Sequence, residues 1–116
     1  MSVLPGESHL ELDAGPQHAN PMGTLHGGVL CDLADLAMGA AYASTLDSGE
    51  TFTTLELKIN FLNPVWKETL FAVRRIVNRG RTIGMVECDI TDSQGRLVAK
   101  STSTCMTLKK EMHQNR

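Results

Sequence analysis

Between Gly27 and about Ser44 the chain reads as a helix apolar on most of its circumference, carrying Val29, Leu30, Leu33, Ala34, Leu36, Ala37, Met38, Ala40 and Ala41. A helix without a broad polar face belongs inside a fold, not on its surface. The 116 residues suffice for one domain, 1–116, and not for two. Other elements must therefore wrap this helix, and the remaining sequence supplies strands. Residues His9–Asp13 alternate as a short first strand that ends at Ala14-Gly15-Pro16. Residues Gln17–Leu25 read as a loop, with Asn20-Pro21 and Gly23 as turn markers.

After Asp47-Ser48-Gly49 the pattern is strand throughout. "TTLELKINFLNP" places Leu55, Leu57, Ile59 and Phe61 on one face and Thr54, Glu56, Lys58 and Asn60 on the other. "ETLFAVRRIVN" and "TIGMVECDIT" form two more strands joined through Arg79-Gly80-Arg81. "DSQG" turns into a fourth, "RLVAKSTSTCMTL". Five strands and one helix leave a sheet half covered unless it curls. The predicted class is α+β, a curved antiparallel sheet wrapped on one central helix, with 109–116 as a frayed tail.

Charge and cysteine usage narrow the function. A net charge of −2 with no dense Lys/Arg cluster argues against nucleic-acid binding. No apolar run is long enough to span a bilayer, since Val29–Ala43 is interrupted by two aspartates. The first residues lack a basic segment followed by an apolar one, so a cytoplasmic setting is expected. Cys31, Cys88 and Cys105 are odd in number and lack the close paired spacing of a metal site; they read as buried thiols.

The start of the helix carries chemistry. A helix N-terminus offers unpaired N–H groups and partial positive charge, and glycines let a ligand oxygen approach that backbone. "HGG" at 26–28 thus suits a polarised carbonyl with the Gly27 N–H as donor, or equally a simple cap in which His26 bonds a backbone group. Asp35 sits in the apolar body of the helix, where a carboxylate loses hydration and holds its proton more tightly unless donors compensate. Such a group suits general-base or nucleophilic work, or a place in a buried polar network or subunit contact. Asp32, one turn earlier, reads as a carboxylate favoured by the helix dipole. Gly27 and Asp35 lie eight positions apart, about 12 Å along one straight helix. Acting on one carbonyl carbon, they must come from different chains, which predicts a dimer with two equivalent sites.

At these residues the sequence closely resembles the PaaI-type acyl-CoA thioesterases of the hotdog-fold superfamily. The family's pattern is an Asn, a Gly three positions on, His-Gly-Gly, and an acidic residue on the helix. Asn20, Gly23, His26-Gly27-Gly28 and Asp35 match it. "INFLNP" and the "RGRT" hairpin extend the resemblance over almost the whole chain. It implies a hotdog fold and hydrolysis of an acyl-CoA to a carboxylic acid and CoA. Asn20 and the Gly27 N–H would polarise the thioester carbonyl. Asp35 of the partner would activate water or attack, His26 would sit near the sulfur or orient the loop, and Thr54 would help hold the water. Period-two counting, however, turns Thr54 away from the helix unless a bulge intervenes. Gly28 and Thr82 are candidate substrate contacts, and Arg79 and Arg81 of the hairpin, with Arg74 or Arg75 nearby, would meet the CoA phosphates, or equally form a solvated charged hairpin. No metal and no cofactor beyond the substrate's own CoA is implied. The expected partner is a second copy, as homodimer or dimer of dimers. Two other readings of the same fold are a non-catalytic acyl-CoA binder and an acyl-thioester hydratase or dehydratase.

Overall fold

The computed structural model describes residues 3–4, 7–14, 26–66 and 68–109. Its elements are β1 (Val3–Leu4), β2 (Glu7–Ala14), α1 (Gly27–Ala43), β3 (Glu50–Phe61), β4 (Glu68–Arg79), β5 (Ile83–Thr91) and β6 (Leu97–Lys109). The strands form one antiparallel sheet in the order β1-β2-β4-β5-β6-β3, and α1 packs across β2 to β6. The two-residue β1 makes six strands instead of five. Lys109, expected in the tail, is paired with Glu50, while 110–116 lie outside the described residues. The four strands after the helix do not pair in simple succession. β3 crosses to the far edge and pairs with β6, leaving β4 to receive β2. Among the described residues no helix is long and apolar enough to cross a membrane.

Alternation decides which side of the sheet meets the helix. On β5, Gly84, Val86, Cys88 and Ile90 are buried and the intervening residues are not. They meet Leu30, Leu33, Ala34, Ala37, Met38, Ala41 and Tyr42 of the helix, together with Leu70 and Ala72 of β4. Each fully buried Leu, Ile, Val or Met contributes roughly 1.5–3 kcal/mol. The small residues set how close the layers come. A Cβ at Gly84 would stand 2.6 Å from Tyr42 Cε2, so glycine there lets the tyrosine lie flat on the sheet. Tyr42 is completely buried and shares a 2.7 Å hydrogen bond with Thr107 Oγ1. The helix ends where Ser44 and Thr45 turn their hydroxyls onto the carbonyls of Ala41 and Tyr42, at 2.6 and 2.7 Å. Their competition for those acceptors replaces the next helical turn.

Three expectations change in the core. Arg74, a candidate for CoA phosphates, is fully buried on the helix side of β4, where Leu70, Ala72 and Ile76 share its parity. Its cross-strand neighbour is Cys88. Burial pushes the Cys88 thiol up to about 12, against the pull of the Arg74 charge, so it stays protonated and unreactive. Burial lowers Arg74 from its usual value. Arg75 faces the opposite side of the sheet and pairs with Glu87. Of the three cysteines, Cys88 and Cys105 are buried, but Cys31 is only half covered.

The helix itself is not enclosed all round. One stripe, comprising Gly28, Asp32, Asp35, Leu36 and Ala43, is exposed, and Leu36 keeps 66% of its surface. Asp32 stands beyond the first turn, which holds no acidic residue. Within that stripe Leu36 is an apolar side chain that this chain's own sheet leaves uncovered.

β3 is not the clean alternating strand its sequence suggests. Thr54 pairs with Cys105 and Glu56 with Thr104, so Leu55 is an extra residue that shifts the register. Before the bulge, Phe52 and Thr54 face the helix. After it, Leu57 and Ile59 take over as the residues packed on the core. Leu55 itself is 54% exposed. Thr54 and Leu57 thus lie on one face although they are three positions apart.

Candidate active site

The helix begins with His26 in an extended conformation, φ −65° and ψ 133°. Its Nδ1 accepts the Gly28 N–H at 3.2 Å, and its carbonyl accepts the Val29 N–H at 3.0 Å. This is an N-cap, the simpler of the two roles open to His26 in the sequence. It also sorts the donors of the first turn. Gly28, a candidate substrate contact, has its N–H engaged by the imidazole. The Gly27 N–H makes no hydrogen bond among the described residues.

Gly27 opens onto a cleft of about 360 Å³, walled by Leu30, Phe61 and the segment 62–65. The Phe61 ring closes on the glycine, since a Cβ there would sit 3.2 Å from Phe61 Cζ. The far wall is pinned from behind. The Leu62 N–H donates to the Val98 carbonyl at 2.8 Å, and Asn63 Nδ2 donates to that of Leu97 at 2.7 Å. Arg96 Nη2 holds the Pro64 carbonyl at 3.1 Å. Arg96 is held in turn by Asp92, whose carboxylate also accepts the N–H groups of Gln94 and Arg96 in the turn. The backbone N–H of Arg96, followed by that of Gln94 and the Arg96 guanidinium, lowers the Asp92 carboxyl from its usual range against the opposing effect of burial.

Asp35 lies in a second cleft, of about 400 Å³, together with Leu36, Gly39, Ala40, Ala43, Phe52 and Thr54. The bulge at Leu55 is what brings Thr54 to this side, resolving the conflict with period-two counting. Asp35 is exposed within one chain, so the desolvation expected for it requires a second surface over the stripe. Phe52 forms the floor beneath Gly39 and contacts Tyr42 at 5.2 Å between ring centroids.

Gly27 and Asp35 therefore belong to two different clefts of one molecule. Asn20 and Gly23 lie outside the described residues. The hairpin residues are at the other end of the helix and line neither cleft. Arg79 stacks over the Tyr42 ring at 4.8 Å, donates from Nε to Thr45 Oγ1 at 2.9 Å and bonds the Gly80 carbonyl. Arg81 and Thr82 are exposed, with the Thr82 carbonyl accepting the Thr107 N–H at 2.7 Å. Sequence reasoning missed Phe52, Gly39 and the wall at 62–65. One signal was present: Phe52 and Phe61 have opposite parity on one strand, which only an odd shift of register can reconcile.

A free N–H at a helix start can polarise a carbonyl or stabilise an oxyanion. A carboxylate beside a hydroxyl can hold and deprotonate water. Comparison with known proteins places the chain among thioesterases. Residues 22–99 match the thioesterase superfamily. The Escherichia coli PaaI protein of the phenylacetic acid degradation operon superposes with a TM-score of 0.87 at 26% identity, covering 93% of this chain and 77% of that one. A Streptococcus mutans protein bound to acetyl CoA superposes with a TM-score of 0.87 at 30% identity, covering 95% and 87%. Human acyl-coenzyme A thioesterase 13 is 26% identical over 106 residues, 90% of this chain and 75% of its own length.

Proposed function

The chain belongs to the thioesterase superfamily, with its hotdog fold and a PaaI-like sequence, and from that premise we propose that it hydrolyses an acyl-CoA to a free carboxylic acid and CoA. The observation that carries the reading is the division of the machinery between two clefts, a main-chain donor at Gly27 in one and Asp35 with Thr54 in the other. Each active site is then assembled from the Gly27 cleft of one subunit and the Asp35 cleft of its partner. The exposed stripe of α1 and the outer edge of β3 support a second copy as the missing surface. The assembly is a homodimer or a dimer of dimers.

In the proposed reaction the thioester carbonyl accepts hydrogen bonds from the Gly27 N–H and Asn20. Asp35, partly desolvated by the second chain, takes a proton from water held beside Thr54, or attacks the carbonyl directly. The tetrahedral oxyanion faces the helix N-terminus, whose dipole opposes the developing charge. In the first branch the hydroxide adds to the carbonyl carbon, and collapse breaks the C–S bond and releases the acid and CoA, whose thiolate recovers the proton held by Asp35. In the second, collapse expels CoA and leaves a mixed anhydride on Asp35 that water hydrolyses to the acid. His26 is a positioning residue, since its cap on Gly28 fixes the direction of the neighbouring Gly27 N–H. Arg79 anchors the hairpin, and Arg81 with Thr82 meets the CoA phosphates. The reaction uses no cofactor beyond the CoA of the substrate, and its setting is the cytoplasm. The acetyl CoA bound by the S. mutans protein supports this ligand class.

Thiol release from a panel of acyl-CoA esters tests the proposal. Asp35→Ala should lose about 10²–10⁴-fold in kcat/KM, the contribution of a positioned acid or base, with its melting curve unchanged. Equal turnover by the variant would remove Asp35 from the mechanism. Binding of intact acyl-CoA without turnover would favour a sensor.

A further inference from the structure

The wall that shares a cleft with Gly27 is held by different means in its two halves. At its start the Leu62 N–H donates to the Val98 carbonyl, and Asn63 Nδ2 donates to that of Leu97. This half is an extension of β6. Proline then interrupts the main-chain bonding, because Pro64 has no N–H to donate. Its carbonyl is the group left to hold it, and Arg96 Nη2 donates to that carbonyl at 3.1 Å. Pro64 is exposed, so packing restrains it little. Val65, next in line, is buried in the core.

An exposed arginine contact is usually worth little, since a long side chain must be ordered to make it. Here the turn between β5 and β6 does the ordering beforehand. Gly95 takes a left-handed conformation, φ +81°, that returns the chain toward Asp92. Asp92 is only 5% exposed. One of its oxygens accepts the N–H groups of Gln94 and Arg96 at 3.0 and 2.9 Å, and the other accepts Arg96 Nε at 3.1 Å. A guanidinium is a rigid plane, so fixing Nε also aims Nη2, and it is aimed at Pro64. A lysine would have to bridge both acceptors from one nitrogen on a flexible stem.

We infer that Arg96 is a positioning residue for the substrate: aimed by Asp92, it holds the Pro64 carbonyl and so fixes the wall that closes on a ligand bound at the Gly27 N–H. The inference rests on the proposed thioesterase reading and deepens it with a residue that acts on binding. Among the described residues Arg96 bonds Asp92 and Pro64, whereas Gly27 and Asp35 stand on α1 and Thr54 on β3. Releasing Pro64 therefore loosens the ligand and leaves the chemical step alone.

The test sets calorimetric binding of S-butyl-CoA, a thioether that cannot be hydrolysed, beside turnover of butyryl-CoA. Arg96→Gln should raise Kd and KM about three- to tenfold, the worth of one hydrogen bond. Its kcat should stay within about twofold of wild type, the pattern of lost ground-state binding. Asp92→Asn should act in the same direction, and adding it to Arg96→Gln should change little, since both break one strut. Arg96→Lys should recover part of the loss, and it carries the comparison if Arg96→Gln does not fold. A lowered unfolding midpoint with Kd and KM unchanged would make Arg96 a stabiliser of the turn alone and overturn the inference. Weaker binding of S-butyl-CoA, with unchanged NMR-measured binding of S-butyl-pantetheine, would overturn it too. The second probe lacks the nucleotide, so Arg96 would then be touching a phosphate directly. Arg96-dependent binding without any thiol release overturns the thioesterase reading and upholds the strut. A wild type that neither binds nor turns over overturns both.

Discussion

The cleft at Gly27 and the cleft at Asp35 are built by opposite means. The first is a main-chain device: a capped helix start, a ring closed on a glycine, and a wall held by hydrogen bonds to Leu97 and Val98. The second is a side-chain device, in which small residues on the helix leave room above an aromatic floor. One strand serves both, presenting Phe61 to the first and Phe52 with Thr54 to the second. The bulge at Leu55 makes this possible by restoring one face to both ends of β3. Among the described residues, neither cleft holds both the Gly27 main chain and the Asp35 carboxylate.

The sharpest way to break the comparison is to place the two defects in different chains. Gly27→Val crowds Phe61 and obstructs the donor, while Asp35→Ala removes the base; each alone should be nearly inactive. Random mixing of the two variants gives hybrid dimers with one intact site, so roughly a quarter of wild-type thiol release should return. No recovery after verified subunit exchange would mean that both groups serve within one chain. A smaller effect is expected at the floor of the Asp35 cleft. Gly84→Ala drives a methyl toward Tyr42 at 2.6 Å and toward the Asn78 carbonyl at 3.2 Å. It should cost about 1–3 kcal/mol in denaturant unfolding and disturb Phe52 through Tyr42. An unchanged unfolding midpoint would contradict that packing.

The smallest effect concerns the wall of the Gly27 cleft. The folded-state pKa of Asp92 is lowered, so its contribution is present above the unfolded value, about 3.9, and is lost as pH falls through the folded one. Asp92→Asn should therefore destabilise the chain at neutral pH and flatten the decline of stability below about pH 4. An acid limb identical to wild type would remove Asp92 from that role.

Much of this was readable from residue order alone. Period 3.6 over Gly27–Ala43 and period 2 over β4, β5 and β6 placed those elements because burial acts on their faces directly. β3's pairing partner was hidden, since alternation fixes a strand's faces but not its neighbours. Arg74 was misread as a surface cation because arginine is rarely buried, although its parity with Leu70, Ala72 and Ile76 was visible. The spacing of Gly27 and Asp35 was enough to separate them. The bulge that joins Thr54 to Asp35 needed coordinates, apart from the clue left by the two phenylalanines.

The cap at His26 has a consequence for which proton the imidazole carries. Nδ1 accepts from Gly28, so the neutral ring holds its hydrogen on Nε2 and presents a donor toward solvent. In that tautomer the ring's acceptor nitrogen is already engaged by Gly28, and the nitrogen left to meet a ligand is a donor. In the proposed reaction it can then offer the thioester a hydrogen bond toward sulfur or oxygen, and the base is Asp35.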